Sequence, residues 1–132
     1  PILRKQAERL FDLLNLQARW GWDQLYAFQS LLWIGPKGAR TGLHSDIDPL
    51  NVLVQVNGTK TMWIVPVTEN HNVYPSSKYD YGAVLSEVDV FNPDEQRFPR
   101  FFDPSVPKVQ VDLEPGDGLY VPPNWMHYVV ST

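Results

Sequence analysis

The sequence predicts a mainly β domain of the jelly-roll or barrel type, and three features carry that prediction. From about residue 25 onward the chain is a succession of short runs rich in Val, Ile, Leu, Trp and Tyr, the side chains that fit a pleated, half-buried surface. Most of these runs are closed by Gly, Pro or Asn, which turn a chain tightly. No internal repeat and no low-complexity tract appears, and helical periodicity is confined to the start. Many short strands with tight turns favour a jelly roll or barrel over an alternating α/β sheet.

Residues 2–16, ILRKQAERLFDLLNL, place Leu3, Ala7, Leu10 and Leu14 on one stripe with charges opposite, which predicts an amphipathic helix packed on the domain. The expected strands are 25–34, 43–46, 50–56, 60–66, 109–113, 118–122 and 126–131. Between two of them, Val56-Asn57-Gly58-Thr59 is a strong short-range hairpin signal, because both turn residues tolerate positive φ. In that register Gln55 faces Lys60, Leu53 faces Met62 and Asn51 faces Ile64, all on one side. The other side carries Val52, Val54, Thr61, Trp63 and Val65. The mixed side can be a wetted surface or the lining of a cavity that binds an anion through Lys60, and hairpin geometry leaves both open. Segment 67–108, rich in Asn, Pro, Tyr and Ser, is expected to be a long irregular insert beside the mouth of the barrel, where such loops commonly bind substrate or merely cap the sheet.

One domain is expected over 1–132, with a helical lead-in over 1–24 and a β core over 25–132. Apolar residues make up 43% of the chain, which is a globular composition. The formal charge of −4 disfavours nucleic acid as a partner. No cysteine is present, so thiolate metal sites, disulfides and a cysteine nucleophile are excluded. No run reaches the length of a membrane span. The chain begins without Met and stops within an apolar run, so an excerpt of a larger intracellular protein, of the cytoplasm or nucleus, is expected. Oligomeric state is not legible.

Chemistry concentrates on two of the three histidines. His44-Ser45-Asp46 lies in an expected strand, where period-two alternation aims His44 and Asp46 at one face. With His127 from the last strand, two imidazoles and one carboxylate would bind a metal on one side and leave other positions open, the facial arrangement of non-haem iron(II) oxygenases. His71, in the Asn-rich insert, reads as a solvent-exposed residue.

Three blocks then resemble the JmjC oxygenases, closest to the protein-hydroxylase branch typified by the asparaginyl hydroxylase of hypoxia signalling. WIGPKGARTGLHSD (33–46) looks like the strand–loop–strand leading to the family's metal motif. SEVDVFNPDEQRFPRF (86–101) is close to a family segment V-D-V-x-N-P-D-x-x-x-F-P-x-F. LEPGDGLYVPPNWMHYVVS (113–131) resembles the block that carries the last histidine. The match takes a one-residue insertion between His44 and Asn51.

The resemblance implies a double-stranded β-helix of the cupin type, lacking its last barrel strand here. It implies iron(II) held by His44, Asp46 and His127, with 2-oxoglutarate as cosubstrate and dioxygen as oxidant. Lys60 and Thr41 then match the residues on the distal carboxylate of 2-oxoglutarate, and Asn51 a polar residue near its metal-chelating end. Trp33, Leu53 and Val129 would form an apolar wall. No residue securely matches a tyrosine that often completes the cosubstrate site. The implied activity is hydroxylation of a protein or peptide side chain. A JmjC lysine demethylase is the nearest enzymatic alternative, although demethylases of the family often use Glu where this chain has Asp46. A tRNA-modifying relative, a non-catalytic cupin-fold binding protein and a metal-only cupin enzyme are the other readings. The intact triad with Lys60 argues against a non-catalytic protein, and His-Ser-Asp in place of His-x-His argues against a metal-only enzyme.

Overall fold

The computed structural model describes residues 31–47, 51–80 and 82–132. The helix expected over 2–16 and most of the strand expected over 25–34 lie outside the described residues. Residues 31–34 belong to a unit separate from Gly35–Thr132 and form no strand. Leu31, Leu32, Trp33 and Ile34 are exposed. A strand requires a ladder partner as well as β-prone side chains, and none is present for 31–34 among the described residues.

The second unit contains β1 (Arg40–Asp46), β2 (Asn51–Val54), β3 (Lys60–Val65), β4 (Pro75–Asp80) and β5 (Ala83–Ser86). It continues with one helical turn, α1 (Pro99–Phe102), then β6 (Val109–Leu113), β7 (Gly118–Val121) and β8 (Met126–Ser131). Six strands make one sheet in the order β4-β5-β1-β8-β3-β6, and β2 pairs with β7 in a second sheet. All pairings are antiparallel. Met62 and Leu113 of the large sheet are buried with Val121 of the small one, and Leu53, Val111, Leu119, Trp125 and Val129 pack around them. That interior between facing sheets is the jelly-roll core expected of the cupin type. No helix among the described residues is long and apolar enough to cross a membrane.

The Asn57-Gly58 turn does not make a hairpin. β2 pairs with β7, while β3 pairs with β8 and β6. The residues between are therefore a corner by which the chain leaves one sheet and enters the facing one. Gly58, at φ +70°, supplies the left-handed conformation this corner requires. The buried Gln55 amide holds the corner by donating to the carbonyls of Asn57 and Gly58, at 2.8 and 3.1 Å. Local turn chemistry was read correctly as a turn, but burial chose its partners. β3 is apolar on both faces, and a two-stranded hairpin cannot cover both.

Segment 67–108 is also more ordered than its composition suggests. Strands β4 and β5 extend the large sheet beyond β1. Val73, Val88, Phe98, Phe101 and Val106 are buried against Leu43, Val65 and Met126. Leu43 and Met126 alternate with His44 and His127, so this cluster covers the outer face of the sheet, opposite the inter-sheet core. Much of the insert therefore caps the sheet, and β5 extends the sheet beside β1. Arg100 lies 4.5 Å over the Tyr74 ring and Lys108 4.8 Å over Phe101, so long basic side chains close the rim of this second core.

Candidate metal centre

Strands β1 and β8 bring His44, Asp46 and His127 together. His44 is directly opposite His127 in the ladder, which places both rings on the inner face at the close spacing of cross-strand partners. Their centroids are 4.2 Å apart. Asp46 follows two residues after His44 on the same face. Its Oδ1 is 3.6 Å from His44 Nε2 and its Oδ2 is 3.6 Å from His127 Nε2. One donor atom from each residue lies within 4.8 Å of the others. The two 3.6 Å separations suit atoms that share one ion about 2 Å away, and any pair wider than about 4 Å must draw together to share it.

A bulge in β1 sets this arrangement. Thr41 is opposite Val129 and His44 is opposite His127, so three steps on β1 match two on β8. The extra residue lets Thr41 and His44 both face inward despite their odd separation, the re-aiming that bulges perform beside functional sites. Nothing in the residue pattern announced it.

Hydrogen bonds settle which atoms are free. His44 Nδ1 is 2.8 Å from the Gly42 carbonyl, and His127 Nδ1 is 3.3 Å from that of Trp125. A carbonyl only accepts, so each Nδ1 carries a proton and each Nε2 is the ring nitrogen turned to the cluster. Burial, with His44 adjacent, lowers the His127 pKa to about 4, outweighing Asp46 and the Trp125 carbonyl, which raise it. His127 is therefore neutral near pH 7, as a metal ligand must be. Two imidazole nitrogens and a carboxylate oxygen, without sulfur, fit iron(II) and similar divalent ions.

The remaining expected residues separate into three groups. Lys60 lies opposite Ser131 and Leu113, so it shares the inner face with Met62 and His127. It sits four residues along β8 from His127, about 13 Å at the usual strand rise. It is partly buried, and no ion pair engages it among the described residues. Leu53 and Val129 pack on the inter-sheet core, while Thr41, opposite Val129 in the ladder, is exposed. Asn51 donates through Nδ2 to Asp46 Oδ2, which places it beside the cluster. Trp33 is 72% exposed in a stretch without a strand and belongs to the separate unit that ends at Ile34. His71 is exposed, as read.

Residue reading missed the β5 side of the site. Leu85 is opposite His44 and Ala83 opposite Asp46, so both flank the cluster on its inner face. On the other flank, Ile64 is opposite His127 and is buried at 5% exposure. Leu85 and Ala83 are only partly buried, which leaves the β5 side the more open one.

A jelly roll with a His–Asp–His cluster on its inner face has the architecture of the cupin class, with three side chains that could hold a metal ion. Residues 5–132 match the family model of the cupin-like domain, and the chain belongs to this family, of the JmjC type. It is 39% identical over 104 residues to HSPB1-associated protein 1 of Homo sapiens, an alignment covering 78% of this chain and 21% of that protein. Over 99 residues it is 37% identical to JmjC domain-containing protein D of Dictyostelium discoideum, covering 75% and 21%. Over 99 residues it is 36% identical to lysine-specific demethylase 8 of Xenopus tropicalis, covering 74% and 21%. The chain thus spans about a fifth of the length of these curated relatives. JmjC-family enzymes use iron(II) and 2-oxoglutarate.

Proposed function

We propose that this chain is the catalytic core of an iron(II)- and 2-oxoglutarate-dependent oxygenase that hydroxylates a protein side chain. The observation that carries the reading is the convergence of three metal-competent atoms within 4.8 Å, with both imidazoles anchored through Nδ1. Bound iron(II) would supply the redox chemistry that couples decarboxylation of 2-oxoglutarate to oxygen insertion into a C–H bond. The chain's residues do the positioning. His44, Asp46 and His127 hold one side of the ion and leave the other to cosubstrate and dioxygen. Lys60 pairs with the distal carboxylate of 2-oxoglutarate, assisted by Thr41, since a lysine between two sheets needs an anion to offset its desolvation. Leu53 and Val129 keep water from the cosubstrate chain, and Leu85 and Ala83 border the side from which substrate approaches.

A protein substrate is supported by the family and by the net charge of −4, which does not favour a polyphosphate partner. Such an enzyme would act in the cytoplasm or nucleus. Lysine demethylation is the second reading, because relatives at 36% and 38% identity are named as lysine-specific demethylases. The two differ only in whether the attacked carbon is an N-methyl group. Iron-dependent consumption of 2-oxoglutarate, measured against peptides, histone tails and tRNA, tests both. Turnover stimulated by an unmethylated peptide with a hydroxylated product supports the first reading. Formaldehyde release from a methylated tail would replace it with the second.

A further inference from the structure

We propose that the free edge of β6 is a self-association surface, on which a second copy of this chain pairs antiparallel about Val111. Nothing in this surface depends on a bound metal. The large sheet ends in two edges, β4 and β6, and they are built differently. β4 opens with Pro75, carries Lys78 and breaks register against β5 between Pro75 and Tyr79, which are devices that stop an edge from pairing further. β6 has none of them. Val109–Leu113 contains no Pro, Gly or Lys and keeps an unbroken register with β3. Among the described residues nothing pairs with its outer side. Val109, Gln110 and Asp112 are exposed.

Backbone polarity sets the register. Ser131 bonds through both its N–H and its C=O to Ala39 and Gly38, and the Thr59 carbonyl accepts from Thr132 N–H. Successive residues of an antiparallel strand turn these groups to alternate sides. Lys60, opposite Ser131, therefore turns its groups to β6, as do Met62 and Ile64. Their partners Leu113, Val111 and Val109 are thereby satisfied, and Gln110 and Asp112 hold N–H and C=O outward. A second β6 placed about a two-fold axis at Val111 sets Gln110 opposite Asp112 of the other copy, on both sides of the axis. Each of these pairs exchanges two backbone bonds. The side chains agree: Gln110 Nε2 already donates to Asp112 of its own strand at 3.2 Å, and its second N–H is available to Asp112 of the other copy. A shift one way would set Asp112 directly against Asp112, like charge on like charge. A shift the other way would draw in Lys108, whose Nζ is engaged by the Val106 carbonyl and lies over Phe101. With four backbone bonds the contact is small, at the weak, transient end of protein interfaces.

The chain has no cysteine, so single introduced thiols report the register without background. Val111, only partly buried, would face its own copy in a non-hydrogen-bonded pair with Cα atoms about 4.5 Å apart, within disulfide reach. Mild oxidation of the whole chain carrying Val111→Cys should give a covalent dimer. Gln110→Cys and Asp112→Cys, held more than about 7 Å from their own copies in this register, should not. In sedimentation the wild-type mass should rise with concentration above that of one chain. Gln110→Pro removes an outward N–H from each copy without touching the β3 ladder, and should weaken association about tenfold or more. Gln110→Glu, which sets like charges opposite at an exposed position, should weaken it too and serves should Pro disturb folding. A wild-type chain that keeps monomer mass up to millimolar concentration would overturn the proposal, as would a dimer that both variants leave unchanged or that Gln110→Cys cross-links instead. Slow amide exchange at Gln110 and Asp112 in the dilute monomer would also overturn it, by showing that another segment of the chain covers the edge.

Discussion

Replacing His44 or Asp46 by Ala should abolish tight iron binding and leave the β fold largely intact, because both side chains are partly exposed and neither joins the cores. Metal content after dialysis, beside the far-ultraviolet dichroism spectrum, checks this. Lys60→Ala should weaken 2-oxoglutarate binding by about 2–5 kcal/mol, the usual consequence of truncating one partner of a buried charge pair, with iron affinity little changed. Lys60→Arg should also impair binding, since a planar fork does not fit a site shaped for a point charge. Calorimetric titration of the metal-loaded variants measures both, and wild-type affinity in Lys60→Ala would remove Lys60 from the cosubstrate site. At this scale the His-x-Asp spacing was readable, because period-two alternation alone puts both side chains on one face. The Asn51–Asp46 bond was not, because it joins two sheets whose facing no local pattern specifies.

Among the elements, the corner at Asn57-Gly58 and the β4–β5 extension position the site. A Cβ at Gly58 would meet nothing within 4 Å, so Gly58→Ala isolates the backbone cost of φ +70°. It should destabilise the fold by about 1–2 kcal/mol, as chemical denaturation would show. Phe101→Ala, at a fully buried site in the outer core, should cost about 3–5 kcal/mol. Metal affinity measured well below the unfolding transition should not change, because the outer core lies on the face opposite the ligands. Loss of metal binding in a folded Phe101→Ala protein would show that the insert supports the centre directly. Here the pattern gave elements more reliably than partners. The edges of β3, β6 and β8 were read to within a residue, whereas the pairing of β2 and the strands of 67–108 depend on long-range burial. Tyr and Ser in 75–86 read as loop composition until an open edge of β1 is there to receive β5.

For the whole molecule, an ion on the triad would link the parts. Its ligands come from the strand regions on either side of the insert, so an ion bound only by the native state should stabilise the fold by about 2.7 kcal/mol at a hundredfold excess over its dissociation constant. The melting temperature of the wild-type chain should rise with cobalt or zinc, and that of His127→Ala should not. The class of the molecule was legible because three sequence blocks in order carry it, while substrate choice depends on the open side near Leu85 and Ala83, which carry no motif. The central claim is that one ion on this triad recruits 2-oxoglutarate. Anaerobic calorimetric titration of 2-oxoglutarate into the iron(II)-loaded chain tests it most directly. The account expects saturable binding that disappears when iron is omitted and in His127→Ala. Absence of binding in the iron-loaded wild type, or equal binding without metal, would contradict it.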